Sequence, residues 1–447
     1  GRISNGLLFP THSHDFLESA VMAAGIIQQD IESVSPVVCP LDVLALIIIS
    51  MTGTETWDMA RLYMHLKGTY PYHDLTRDHY DLVMNMLAGR YADSRIRELK
   101  PRVSIDRLEN TVKARKGALL ALYMSGGVIP DRGYFHLRHY ETHARIGELD
   151  EEFVWEAKVG QTFTLGTQNW KIERITHNDV FVLPGNPRAT APPFWIAEPS
   201  NRNFHFSDKI GRFLEWSNGY SDDSDLLPVL EKEYLMAPVA ARELVKFLDK
   251  QKKETGCELP HRHHILIEHV TSGAAGVPAN QIIIHTFWGG RVNRPFAMAF
   301  EAAWEKRFSQ QLDVFADNNC LYFMLPNDIS DLELLSMVRS ANLETLIRKR
   351  LEGSGFFGAR FRECAGRALL ISRKKINERM PLWVSRLKSK KLLDSVVQYE
   401  DFPILLETWR TCLKDSFDLA SLSQVLTELE LGKITWTSVH RSHPSPM

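Results

Sequence analysis

Short apolar runs with a period of two dominate residues 153–195. The stretch FVWEAKVGQTFTLGTQNWKIERITHNDVFVLPG alternates apolar and polar positions, broken by Gly160, Gly166 and the Asn178-Asp179 pair. Alternation with closely spaced turn residues predicts a small, tightly turned β-barrel, beginning near Tyr134 and running to about Leu183. PPFW follows, in which Pro192 and Pro193 stiffen the stem of Phe194 and Trp195. A Trp presented on such a stem suits stacking on a flat group, and the same Trp could close the barrel's own core. The pattern leaves both open.

Upstream the period is helical. LDVLALIIISMT at 41–52, WDMARLYMHLKG at 57–68 and TRDHYDLVMNMLAG at 76–89 predict three helices. Thr76 is placed to cap the third, and Asp78 suits its positive end. The period then returns to two. RVSIDRL at 102–108, a Glu109-Asn110 turn and TVKAR at 111–115 predict a hairpin. Three helices followed by a basic hairpin is the order of a winged helix, whose third helix and wing can meet nucleic acid. The helical run HDFLESAVMAAGIIQQ, within the first 33 residues, has no partner core in its own segment and is expected to belong to an earlier domain. Beyond Trp195, an amphipathic helix over 237–256 precedes a β-β-α-β-β unit over about 262–326. The remainder to residue 447 is expected to be helical and basic, and GSGFFGARF at 353–361 is read as a junction between two helices.

Composition narrows the picture. The chain has 447 residues, 44% apolar and 24% charged, the balance of an ordinary globular protein of several domains. Its densest apolar run, 41–51, is too short to cross a membrane and is interrupted by Asp42. Five scattered cysteines form no C-x-x-C pair, which favours a reducing cytosol over disulfides or a zinc site. The chain begins with Gly1 rather than Met, so a piece of a longer protein is expected. The net charge of −2 conceals basic clusters: nine Lys/Arg against four Asp/Glu over 90–116, and fourteen against three over 348–391. Such clusters fit local contact with a polyanion, or two solvated helix faces.

Catalytic signatures are missing. There is no G-x-x-x-x-G-K-[ST] loop, no G-x-S-x-G elbow and no H-E-x-x-H pair. Glu151-Glu152 is read as an exposed pair of consecutive carboxylates, poorly suited to acid/base work. The run His261-Arg262-His263-His264 opens a strand, where neighbours point to opposite faces, so surface histidines are expected rather than metal ligands.

Longer motifs then occur in a recognisable order: GLLFPTH at 6–12, TYPYHDL at 69–75, MLAGRY at 86–91 and SGGVIPDRG at 125–133. They continue with GELDEEFVWEAKVGQTFTLGTQNWKIERITHNDV at 147–180, PFW at 193–195, FFGARFRECAGRALLISR at 356–373 and FPILLETWRTCLKDSFDL at 402–419. Together they closely resemble the Lhr family, the large helicase-related proteins of superfamily two, over essentially the whole chain. RVNRPFAMAFEAAWEKR at 291–307 resembles that family's helicase-associated region. The resemblance implies the accessory half of an ATP-dependent 3′–5′ DNA helicase acting in DNA repair in the bacterial or archaeal cytoplasm. Two RecA-like motor domains would precede it and would carry the ATP and Mg2+; no cofactor is expected in this chain. The implied partners are single-stranded DNA, or a DNA/RNA hybrid, and those motor domains, with no membrane. Ile129 and Trp195 fall on positions suited to wedging against or stacking on bases, and Arg132 beside Ile129 on a phosphate position. Arg102, Arg107, Lys113 and Arg115 on the wing are further phosphate candidates. So are Arg291 and Arg294, placed just before a helix start where backbone N–H groups also favour an anion.

The expected architecture is α+β and multidomain. Residues 1–33 would be the exit from a motor domain, 34–125 a winged helix, 126–200 the small β-barrel, 201–335 an α/β helicase-associated region and 336–447 a basic helical C-terminal part. A stand-alone nucleic-acid-binding module and a protein-interaction scaffold are the alternatives. Both differ from a helicase part in lacking any coupling to ATP hydrolysis.

Overall fold

The computed structural model describes residues 6–92, 97–125, 127–130, 133–165, 168–185, 201–220, 223–271, 280–312, 314–325, 329–372, 374–375 and 378–447. The chain is a mixed α+β, multidomain protein. It divides into two compact units, each built from separated stretches of sequence: residues 35–198 with 351–415, and residues 1–34 with 199–350 and 416–447.

In the first of these units, three helices form at Leu41–Thr54, Met59–Lys67 and Arg77–Ala88. The third is bounded by local chemistry. The Thr76 hydroxyl accepts the His79 N–H at its start, and Gly89 closes it in the left-handed region at φ 98°. Its Tyr80, Val83, Met84 and Leu87 are buried together with Leu44, Ile48 and Ile49 of the first helix. The hairpin pairs Val103–Asp106 with Thr111–Ala114, and Trp57–Asp58 adds a short third strand to Thr111–Ala114.

The alternating stretch forms a curled half-barrel rather than a closed one. Its strand order is Arg145–Asp150, Tyr134–His139, Asp179–Pro184, Gln168–Ile175, Thr162–Leu165, so the first and last strands are edges that do not pair with each other. Register shifts at Leu137/Arg138 and Ile172/Arg174 supply bulges that bend the sheet. The inner face buries Phe135, Leu137, Phe163, Trp170, Ile172 and Val182. At about 1.5–3 kcal/mol per fully buried large apolar side chain, this cluster is a core in its own right. The stretch is also not all strand: Glu151–Glu156 is a helical turn. Helices Gly355–Arg367, Leu382–Val396 and Pro403–Arg410 complete this unit.

In the other unit, helix Ser13–Ile27 packs Leu17, Ala20 and Val21 into one cluster with Ile210, Phe213, Leu214, Leu244 and Leu248. The segment, which has no core of its own, has its apolar face covered by helices Phe204–Asn218 and Pro238–Thr255. The β-β-α-β-β unit forms as strands His264–Thr271, Asn280–His285, Val314–Ala316 and Cys320–Leu325 around the long helix Gly290–Phe308. A fifth strand, Thr435–Arg441, lies parallel to His264–Thr271 at the sheet edge. The final stretch is thus not wholly helical. Among the described residues no helix is long and apolar enough to cross a membrane.

Candidate nucleic-acid interface

The wing is shaped by short side chains at its turn. Asp106 accepts the N–H groups of Leu108 and Glu109 at 2.9 and 3.2 Å, and Asn110 takes the left-handed conformation at φ 51°. Asn110 ties the tip to the helix Met59–Lys67, donating to Asp58 at 3.0 Å and accepting from Met59 N at 3.0 Å. Val103 and Val112 face the core. Lys113, opposite Ser104, lies on the outer face, and Arg107 and Arg115 are exposed at the tip and the base. None of the three pairs with a carboxylate among the described residues, which leaves their charge to solvent or a polyanion.

Arg102 behaves differently. It is half-buried and donates to the Leu369 carbonyl at 2.9 Å, and burial lowers its pKa. It ties the wing's first strand to the rest of its unit and is less open to solvent than the other three.

Ile129 is 81% exposed and Val128 54% exposed, on the loop between helix Ala118–Ser125 and strand Tyr134–His139. The loop leaves Gly127 at φ 129°, a conformation that favours glycine. The chain just C-terminal to Ile129 is anchored. Pro130 lines a small cavity with Arg362, Gly366, Ile371, Met380 and Leu382. Gly133 exchanges two hydrogen bonds with Glu151, its N–H to the carboxylate and its carbonyl from the Glu151 N–H, each at 3.1 Å. A Cβ at Gly133 would lie 2.0 Å from Leu382 Cδ1, so the helix Leu382–Val396 seats directly on this position. An apolar side chain thereby projects from a fixed base. Arg132 and Trp195 lie outside the described residues.

Glu151 is the residue that sequence reasoning misjudged. Expected on the surface, it is 1% exposed. Its carboxylate forms ion pairs with Arg362 at 2.9 Å and Arg386 at 2.8 Å, while Arg386 also donates to the His177 carbonyl and lies over the Phe135 ring. Burial lowers the Arg386 pKa, and Glu151 opposes that shift. No local pattern marks Glu151, because its ion-pair partners lie more than two hundred residues away in sequence.

About half of the basic cluster at 348–391 is paired with carboxylates, each inside its own unit. Arg348 pairs with Glu344, Arg350 with Glu301, Arg360 with Glu363, Arg367 with Asp42 and Lys388 with Glu98. Sequence counting overstates the charge this stretch offers to a polyanion.

Arg291 and Arg294 belong to the other unit. They sit inside the first turn of the helix Gly290–Phe308, not before it, and both are half-buried. The helix start holds no spare donor. Gly290 N–H goes to Asn318 Oδ1 at 2.9 Å, Arg291 N–H to the Arg202 carbonyl at 3.4 Å, and Val292 and Asn293 N–H to the Gly289 carbonyl. The backbone donors of this helix start are therefore already engaged within the protein. The histidine run is also placed unexpectedly: His261 and His263 both approach Glu215.

The structure thus defines an α+β protein with a helix-and-wing module, a curled half-barrel and a sheet-and-helix unit. The winged helix domain of large helicase-related protein matches residues 24–191, and the DEAD/H associated family matches residues 259–447. The chain belongs to the Lhr family. It is 32% identical to the Lhr helicase/uracil glycosylase of Escherichia coli, with all of this chain aligned to 29% of that protein. It is 26% identical to the ATP-dependent helicase Lhr-Core of Methanothermobacter thermautotrophicus, over 99% of this chain and 51% of that protein. A solved structure of Mycobacterium smegmatis helicase Lhr bound to single-stranded DNA and AMP-PNP matches with a TM-score of 0.81 and 27% identity, covering all of this chain and 52% of that one. The chain therefore spans between about a third and a half of the length of these relatives.

Proposed function

We propose that this chain is the accessory portion of an ATP-dependent 3′–5′ DNA helicase that acts in DNA repair. In this reading residues 34–125 are the winged helix and 126–200 the barrel module, and both touch single-stranded DNA while RecA-like motor domains elsewhere in the parent protein bind ATP and Mg2+. The observation that carries the reading is the likeness of the entire chain to a relative solved with single-stranded DNA. Arg107, Lys113 and Arg115 would neutralise phosphates, and Ile129, with Arg132 beside it, would press against bases from its anchored loop. Trp195 would stack on a base, a contact worth about 1–3 kcal/mol and indifferent to sequence. An aromatic ring lodged between bases would make motor closure move the strand rather than slip past it.

The affinity of this chain for a single-stranded oligonucleotide, measured across a salt series, tests the binding step. Counterion release predicts a log K that falls by about 0.7 per neutralised phosphate for each decade of salt. No binding at low salt by a folded chain would overturn the reading and favour a protein-interaction scaffold.

A further inference from the structure

His261 and His264 exchange backbone hydrogen bonds at 2.9 and 3.1 Å, so Arg262 and His263 occupy the corner of a tight turn ahead of the sheet strand. The helix Phe204–Asn218 presses on this turn at Gly211, where a Cβ would lie 3.0 Å from the Arg262 backbone. One helical turn beyond Gly211, Glu215 meets the turn's outer side. Arg262 is buried in ion pairs with Asp208 and Glu428 rather than with Glu215. His263 Nδ1 lies 2.9 Å from Glu215 Oε2 and His261 Nδ1 lies 3.9 Å from Glu215 Oε1, with all three ligand atoms within 4.8 Å of one another.

We propose that Glu215, His261 and His263 form a binding site for a divalent transition metal of the zinc class. Ligands about 2.0–2.1 Å from a tetrahedral zinc lie about 3.3 Å apart, and the two distances to Glu215 straddle that value. Two imidazoles and one carboxylate suit Zn2+ rather than Mg2+ or Ca2+. Glu258 lies 3.6 Å from His261 Nε2, placed to hold the ring with its other nitrogen turned inward. Asp208, Glu215, Glu258 and Glu428 outnumber the neighbouring cations Arg212 and Arg262, so the local field favours a cation. The His263 N–H donates to His261 Nδ1 at 3.2 Å; the metal takes that lone pair and leaves the N–H to water. His263 and Glu215 are 38% and 39% exposed, which leaves a coordination position open to solvent. The ion would clip the helix to the head of the sheet, because Thr435 of the edge strand begins its pairing at the His263 carbonyl, 2.9 Å away. This inference is independent of the helicase reading.

Thermal unfolding of the chelator-stripped chain, titrated with Zn2+ and separately with Mg2+, tests it without DNA. At free Zn2+ near a hundred times Kd, the midpoint is expected to rise by about 5–10 °C, with no response to Mg2+. His263→Ala and Glu215→Ala should each abolish the rise. Co2+ added to the unaltered chain should give the visible absorption of a low-symmetry nitrogen/oxygen site, a readout that needs no variant to fold. The proposal is overturned by an unchanged midpoint with no Co2+ band. It is equally overturned by a full Zn2+ response in the His263→Ala, Glu215→Ala double variant, which would assign the ion to other histidines.

Discussion

Replacing Glu151 with Gln keeps the shape of the side chain and removes the charge that two buried guanidinium groups share. Arg362 and Arg386 are 6% and 9% exposed beside a carboxylate that is 1% exposed. Without it, two cations face each other in a site shielded from water. Removing one partner of a buried ion pair costs about 3–5 kcal/mol, far more than the pair itself contributes relative to an apolar replacement. For a unit of this size each kcal/mol moves the melting midpoint by about 2–4 °C, so Glu151→Gln should lower it by about 6–20 °C. Circular dichroism of the thermally unfolded chain reads this directly, with a denaturant series to separate stability from cooperativity. The exposed Glu141→Gln is the control and should change stability by less than about 0.5 kcal/mol. Exchanging the group for Leu at 151 and Met at 362 and 386 should recover most of the loss, because no uncompensated charge remains. A loss below about 1 kcal/mol for Glu151→Gln would refute the view that this carboxylate anchors the Ile129 loop.

Further expectations follow from the same geometry. Ile129→Ala in the longer protein should reduce unwinding while DNA-stimulated ATP hydrolysis persists, as measured by paired strand-displacement and phosphate-release assays. Neutralising Arg107, Lys113 and Arg115 together should flatten the salt dependence of single-strand binding by up to about 2 in slope, whereas Arg102→Ala should lower stability and leave the slope unchanged. His14 is half-buried against Phe247, and burial lowers its pKa, so the folded state holds it neutral. The unfolded chain then binds the proton more readily. Stability is complete above the unfolded value near about 6.5 and falls as pH drops below it; NMR titration of His14 and melting curves between pH 7.5 and 5.5 check this.

The parts of this fold that local chemistry determines are legible in the sequence. Thr76 and Gly89 bound a helix whose apolar positions recur at helical spacing, and short apolar runs such as HILIEHV and CLYFML announce the strands between 262 and 326. What is not legible depends on partners distant along the chain. Arg386 reaches Glu151 across 235 positions and Arg367 reaches Asp42 across 325, so an apparently exposed carboxylate and part of an apparently basic tail are paired. Whether an alternating stretch closes into a barrel depends on its two edge strands meeting, which period alone does not fix. His261 and His263 show the same limit. Alternation already allows residues two apart to share a side, but their common carboxylate, Glu215, lies 48 positions from His263.

The central claim is that this region couples a motor to a DNA strand, and Trp195→Ala in the longer protein tests it most directly through the number of base pairs unwound per ATP hydrolysed. The account predicts that this ratio collapses while single-strand-stimulated hydrolysis and the melting midpoint stay near those of the unaltered protein. An unchanged ratio in a fully stable variant would contradict it.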